Sequence, residues 1–133
     1  MGATAAIAPF GLATIGQIAV SVKDVDRAIA FYRDILGMKL LFQFPNMGFF
    51  ACDSVRLMIS HAEKPDEQFS SVIYFKVPDI QQAFQTLSER GVSFEGAPHL
   101  VAPMPDHDLW MAFFRDPERN LLALMSEVPR AIG

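Results

Sequence analysis

The sequence predicts an α+β fold in which two βαβββ modules form one curved mixed sheet with the helices outside. Two observations carry this prediction. A strand–helix unit occurs twice, at residues 15–37 and 72–91, and VKDVDRA in the first copy corresponds to VPDIQQA in the second. Short strand-like runs separated by turn residues then follow each unit. With 133 residues, 51% of them hydrophobic, the chain suits a single domain over residues 1–133 with a core of its own.

The first module is predicted over residues 15–61. An apolar strand pattern ends at Val22, Asp24 then stands at a helix N-cap, and apolar residues at helical spacing lead to Gly37, which ends the helix. Three strand-like runs follow, at residues 38–44, 48–52 and 55–61. This order of elements is β-α-β-β-β, and neither module is large enough to bury its sheet alone.

The second module is predicted over residues 70–126 with the same order. Asp79 is expected to cap its helix and Gly91 to end it. The predicted strands cover residues 70–77, 92–95, 109–115 and 121–126, with a loop at 96–108 that carries three prolines, Pro98, Pro103 and Pro105. The tail from Glu127 onwards is expected to be frayed.

Charge and composition exclude several classes of function. The net charge is −4 and no Lys/Arg run exists, so we expect no nucleic-acid partner. No apolar run reaches the roughly 20 residues of a membrane span, so we expect no membrane partner. Residues 1–13 lack the basic start of a secretory signal and are predicted to be an N-terminal arm. Cys52 is the only cysteine, which excludes an internal disulfide and indicates a cytoplasmic protein.

Side chains alternate between the two faces of each predicted strand. One face is aliphatic or aromatic throughout and is expected to lie under the helices. The other mixes small, polar, basic and methionine side chains. Such a face is typical of a ligand cup in a curved sheet, but an ordinary solvent-facing sheet has the same pattern.

Two stretches, VKDVDRAIAFYRDILGMKL and FFRDPERNLLAL, resemble the vicinal oxygen chelate superfamily. This superfamily holds glyoxalase I, bleomycin resistance proteins, extradiol dioxygenases and methylmalonyl-CoA epimerase. The resemblance covers residues 15–126 and implies that the mixed face lines a cup for a small molecule and that two chains pair as a homodimer. The second stretch is similar to the family's D-P-x-G-N turn, with Arg119 in the place of the glycine.

The resemblance also implies positions for a divalent metal, whose ligands are typically His, Gln or Glu. Carried onto this chain, those positions are Gln17, Met58, Val72 and Ala123. Gln17 matches, whereas Val72 and Ala123 carry no ligand atom and the thioether of Met58 is too soft for the hard ions of this chemistry. We therefore expect no metal and no other cofactor.

The leading hypothesis is a small-molecule-binding protein of the bleomycin resistance kind. The predicted ligand-binding residues are Gln17, Ser21, Arg56, Met58, Tyr74, Lys76, Ala123 and Met125. Because Arg56 and Lys76 are the charged members of this set and both are basic, the ligand is expected to be neutral to anionic.

Two alternatives stay open. The first is an enzyme, either a glyoxalase-like lyase or isomerase or a dioxygenase. It would act without a metal, with Tyr74 or Lys76 as a base, or with a metal relocated to His99, His107 and the neighbouring Asp106 and Asp108. A solvated loop is the favoured interpretation of those last residues, and catalytic residues are not assigned. The second alternative is a structural dimer with a vestigial cup.

Overall fold

A computed structural model describes residues 13, 15–62 and 71–130. The predicted N-terminal arm, apart from Ala13, and the first residue of the predicted second module lie outside the described residues. The first half contains β1 (Gln17–Val22), α1 (Val25–Ala30) continued by a π-helical turn (Phe31–Ile35), β2 (Lys39–Phe44), β3 (Met47–Cys52) and β4 (Val55–His61). The second half contains β5 (Ile73–Lys76), α2 (Ile80–Glu89), β6 (His99–Pro103), β7 (His107–Arg115) and β8 (Leu121–Pro129). The α+β class and the two βαβββ modules are confirmed.

Both helices begin and end as their sequences predict. The carboxylates of Asp24 and Asp79 accept hydrogen bonds from the backbone N–H three residues further on. The last turn of the first helix is π-helical, with an i to i−5 hydrogen bond from Leu36 N–H to Phe31 O at 3.0 Å. Gly37 and Gly91 then take φ values of +74° and +99°, in the left-handed region that glycine adopts without a steric cost.

The strands form two four-stranded mixed sheets with the same order. The first is β1-β4-β3-β2 and the second is β5-β8-β7-β6. In each sheet one pair is parallel, β1 with β4 and β5 with β8, and the other pairs are antiparallel. The register shifts at Leu41 in β2 and at Val101 in β6. These bulges lie at corresponding places on two edge strands, so the internal repeat extends to local irregularities.

The middle of the second module differs from the prediction. Residues 92–95, all of them described, make a single bridge between Phe94 and Phe114 rather than a strand. The predicted loop 96–108 instead contains β6 and the first residues of β7. The prolines suggested a loop, but Pro98 precedes β6 and Pro103 ends an edge strand, where a missing N–H breaks no pairing.

The predicted fraying at the end of β8 is also wrong for its first residues. Because β7 begins early, at His107, it continues to pair with β8 as far as Pro129. Glu127 is therefore a strand residue opposite Leu109.

The core lies between the helices and one face of each sheet, as the alternation predicted. Buried residues on the helix-facing side include Val20, Leu57, Ile59, Phe50, Phe114, Leu122 and Leu124. A Cβ placed on Gly48 would lie 2.6 Å from Ile29 Cδ1, so the absence of a side chain there lets α1 pack closely on β3. Within the described part of the chain, no helix is long and apolar enough to span a membrane.

The turn 116–120 of the second module packs against the start of α1 in the first. Glu118 accepts hydrogen bonds from Lys23 N–H at 2.8 Å and Asp24 N–H at 3.1 Å, and Arg27 Nη2 lies 2.6 Å from its carboxylate. Arg119 has φ +70°, so the turn adopts the left-handed geometry that glycine usually supplies. These contacts tie the two modules together.

Candidate functional site

The open face of the first sheet, on the side away from the helices, holds an arginine fixed by its neighbours. Arg56 Nε donates a hydrogen bond to Gln17 Oε1 at 3.1 Å, and the guanidinium carbon lies 5.4 Å from the centroid of the Phe49 ring. Gln17 Nε2 in turn lies 3.8 Å from Met58 Sδ. The strand register explains this group, because Gln17 pairs with Arg56 across β1 and β4 and Phe49 pairs with Met58 across β3 and β4. We call Gln17, Phe49, Arg56 and Met58 the Arg56 cluster.

Aromatic rings continue from this cluster towards the outer edge of the sheet. The ring of Phe49 lies 4.8 Å from that of Phe42 and 6.4 Å from that of Phe44, measured between centroids. Phe49 and Phe50 are adjacent on β3 and therefore face opposite sides of the sheet. Phe50 is fully buried under the helices, so Phe49 is the residue on the open face.

On the second sheet, two aromatic side chains flank a small one. Tyr74, Ala123 and Phe113 are register partners across β5, β8 and β7. The Tyr74 and Phe113 ring centroids lie 6.3 Å apart, and Ala123 between them is fully buried. Tyr74 itself is 46% exposed. These three residues therefore form an apolar surface, and Tyr74 places a hydroxyl group at the β5 edge of the sheet.

Lys76 lies on the same face but its charge is balanced. Lys76 Nζ is 2.9 Å from Glu127 Oε1, and this ion pair lowers the pKa of Glu127. Glu127 Oε2 is also 3.8 Å from Nε2 of His107, whose Nδ1 lies 2.6 Å from Asp106. Sequence analysis missed Glu127 because the strand was expected to end one residue earlier.

The eight predicted ligand-binding residues thus fall into two groups. Gln17, Arg56 and Met58 meet on the first sheet, while Tyr74, Lys76, Ala123 and Met125 are paired on the second. Ser21 lies at the junction, since its carbonyl oxygen accepts a hydrogen bond from Asn120 Nδ2 at 3.4 Å, just before β8 begins. Phe49 and Phe113 were not in the predicted set, although alternation along β3 and β7 from their neighbours could have found them.

The residues that the resemblance assigns to the metal positions do not fit a hard divalent ion. Gln17 and Met58 contact one another, and they offer one amide and one thioether. Val72 and Ala123 have no donor atom, and the rings on either side of Ala123 cover it. Among the described residues, no three His, Cys, Asp or Glu side chains lie together as a relocated metal site would require. Asp108 is instead paired with Arg130, at 3.2 Å.

Comparison with known proteins places this chain in one superfamily. Residues 14–124 match the family model for the glyoxalase/bleomycin resistance protein/dioxygenase superfamily. The chain belongs to this superfamily.

Individual proteins are similar to this chain at low sequence identity. An uncharacterized protein of Bacillus subtilis (strain 168), YraH, is 29% identical, and the match covers 81% of this chain and 94% of that protein. The crystal structure of a lactoylglutathione lyase from Agrobacterium tumefaciens is 20% identical with a TM-score of 0.71, covering 86% of this chain and 94% of the other. TnmS3, an antibiotic-binding protein from Streptomyces sp. CB03234, is 22% identical with a TM-score of 0.70 over 89% of this chain and 98% of that one.

Proposed function

We propose that this protein binds a small neutral or anionic molecule on the open face of its sheets and does so without a divalent metal. The Arg56 cluster is the observation that carries the proposal. Its guanidinium is fixed by Gln17 on one side and lies over Phe49 on the other. Within the described ranges, no carboxylate forms an ion pair with Arg56, whereas Lys76 is already paired with Glu127.

A guanidinium held in this way suits a planar anion. Its N–H groups can donate two parallel hydrogen bonds to a carboxylate, and the fixed orientation reduces the entropy lost on binding. The rings of Phe42, Phe44 and Phe49 supply an apolar wall beside it. One charged anchor beside an aromatic wall is a common composition for a small-molecule site.

The relatives support binding as one role of this fold. TnmS3 is described as an antibiotic-binding protein, and its similarity to this chain is in the fold. The lactoylglutathione lyase shows that the same fold also serves an enzyme. We favour binding because two of the four metal positions carry no donor atom here, so the ligand must be held by the side chains themselves.

The proposal is tested with 2-naphthoate, an aromatic carboxylate, and with its uncharged analogue 2-naphthamide. Arg56→Ala is expected to weaken 2-naphthoate binding by about tenfold or more, measured by isothermal titration calorimetry, since one charge-assisted contact contributes roughly 1.5–3 kcal/mol. Binding of the amide should change less. Arg33→Ala, a change at an exposed arginine on the π-helical turn, is the matched control. An unchanged affinity in a folded Arg56→Ala protein would remove Arg56 from the site.

We also propose that the protein is a homodimer. Apolar side chains outside the aromatic wall of the ligand site are exposed on the edge strands β2 and β6 and would be covered by a second chain; they are Leu41, Leu100 and Val101. Light scattering at micromolar concentration tests this proposal. A mass of two chains is expected, and a mass of one chain would contradict it.

A further inference from the structure

A cavity of about 510 Å³ lies on the opposite side of the second sheet from the open face. It opens between α2, β5 and the segment that follows α1. Its apolar lining includes Leu36, Met38, Phe75, Leu87, Phe114 and Leu124. The volume lies within the roughly 300–1,000 Å³ of ligand pockets, and most of its lining is apolar, as in such pockets. We call it the α2 pocket.

The internal repeat shows what occupies the corresponding place in the first module. The alignment of VKDVDRA with VPDIQQA makes Lys23, Asp24 and Arg27 equivalent to Pro78, Asp79 and Gln82. In the first module these three residues hold Glu118 of the turn 116–120. Their three equivalents all line the α2 pocket. The α2 pocket is therefore the repeat-related counterpart of a groove that a chain segment fills.

Among the described residues, two differences leave the second groove open. The turn that corresponds to 116–120 joins β3 to β4 through two residues, Asp53 and Ser54, and neither lines the pocket. The helix side chains are also smaller. Continuing the same alignment, Phe31 and Tyr32 of the first module correspond to Thr86 and Leu87, so two aromatic rings are replaced by a hydroxyl-bearing and an aliphatic side chain.

The chemistry of the pocket mouth argues against an acidic occupant like Glu118. Pro78 has no N–H to match that of Lys23, and Gln82 is neutral where Arg27 is charged. Lys76 also borders the pocket, but its ammonium group pairs with Glu127 on the open face. The Asp79 carboxylate accepts the N–H of Gln82 at 3.1 Å. What remains for a ligand is an apolar floor with the neutral polar groups of Gln82 and Thr86 at its edge.

We propose that the α2 pocket is a second binding site, which takes a small, uncharged and largely apolar molecule. It differs from the site on the open face both in position and in the charge of its ligand. The pocket and the open face lie on opposite sides of the second sheet, because Phe75 and Leu124 line the pocket and their neighbours Tyr74 and Ala123 face the other way.

The probe is N-phenyl-1-naphthylamine, a neutral fluorophore whose emission rises in apolar surroundings, with the anionic 1-anilinonaphthalene-8-sulfonate as its charged counterpart. The wild type is expected to bind the neutral probe at one site per chain and at least tenfold more tightly than the anionic one. Thr86→Phe restores the ring found at the equivalent position of the first module and should reduce binding of the neutral probe at least tenfold. Gln85→Phe, the same change at the adjacent exposed residue of α2, and Arg56→Ala should leave it unchanged.

A second measurement needs no variant. In methyl-labelled wild type, the neutral probe should shift the methyl resonances of Leu36, Val77 and Leu124, which line the pocket, and leave those of Ala19 and Met58 on the open face unmoved. The proposal is overturned if the shifts lie at Ala19 and Met58, if a folded Thr86→Phe protein keeps its affinity, or if Gln85→Phe loses affinity equally.

Discussion

The Tyr32 hydroxyl donates a 2.8 Å hydrogen bond to Asp116 Oδ2 and so joins the π-helical turn that continues α1 in the first module to the turn before β8 in the second. Asp116 is 4% exposed, and its other oxygen accepts the N–H groups of Glu118 and Asn120, each at 2.8 Å. A buried carboxylate is tolerated only when such donors surround it. The Tyr32 phenol is therefore one of the contacts that hold the two modules together, beside those of Glu118.

Replacing Tyr32 by Phe should lower the free energy of unfolding by about 2 kcal/mol. The change keeps the ring in the core and removes one donor to a buried charge, a loss that typically costs roughly 1.5–3 kcal/mol. Urea unfolding followed by circular dichroism measures it. Tyr74→Phe is the matched control, because Tyr74 is 46% exposed and its loss of a hydroxyl should change stability by less than about 0.5 kcal/mol. Equal effects of the two changes would contradict the account.

The same residue predicts a loss of stability at alkaline pH. Burial, and then the charge and hydrogen bond of Asp116, raise the pKa of Tyr32 far above its ordinary value of 10.0. Because the folded pKa lies above the unfolded one, the contribution is complete below about pH 10 and is lost as the unfolded chain ionises above it. Stability measured from pH 8 to pH 11 should therefore fall more steeply for the wild type than for Tyr32→Phe. Parallel profiles would exclude this coupling.

Glu118→Gln should destabilise the protein at neutral pH by about 1–2 kcal/mol, because its amide nitrogen cannot accept the donors that meet the carboxylate. Burial alone would raise the pKa of Glu118, but the N–H groups of Lys23 and Asp24 together with Arg27 lower it below the usual 4.5. The contribution is thus present above about pH 4.5 and is lost as pH falls through the lowered value.

The difference in melting temperature between wild type and Glu118→Gln should accordingly become smaller as the pH is lowered from 5 to 3. Glu95→Gln serves as the control, since Glu95 pairs with Arg115 at the surface and such pairs contribute roughly 0–1 kcal/mol. A gap between wild type and Glu118→Gln that stays constant with pH would show that the carboxylate charge is not involved.

Arg119→Gly should stabilise the protein by about 0.5–1 kcal/mol. A left-handed residue other than glycine costs roughly 1–2 kcal/mol, and glycine returns about 0.5–1 kcal/mol of that through the greater freedom of the unfolded chain. Asn46→Gly, at an exposed turn residue that does not have a positive φ, should destabilise instead. Chemical denaturation of the wild type, Arg119→Gly and Asn46→Gly measures their free energies of unfolding. A loss of stability in Arg119→Gly would contradict the strain argument.

The sequence predicted the parts of the fold that depend on local pattern. The two N-caps, the two glycine helix ends and the helix-facing side of each sheet follow from residue type and spacing alone. It failed where tertiary pairing overrides local signals. Prolines that usually break strands flank β6, and a long partner strand keeps Glu127 paired.

The sequence predicted which side chains share the open face, but not how the charges on that face are paired. Alternation placed Arg56 and Lys76 on one face, and both lie there. Lys76 is paired because Glu127 lies in the extended part of β8. Arg56 lies against Gln17 and Phe49 because the strand register brings these residues together. The α2 pocket exists because the turn 116–120 packs against the start of α1, whereas the shorter turn between β3 and β4 does not line the pocket beside α2. This difference in tertiary packing cannot be predicted from a local sequence pattern.

Metal-independent binding on the open face is the central claim, and calorimetry on metal-stripped protein tests it most directly. The protein is treated with a chelator, its metal content is checked by mass spectrometry, and 2-naphthoate is titrated before and after adding nickel, zinc or manganese. We predict binding of one 2-naphthoate per chain in the stripped protein, with an affinity that none of the metals changes by more than about twofold. Binding that appears only when one of these metals is restored would contradict the account.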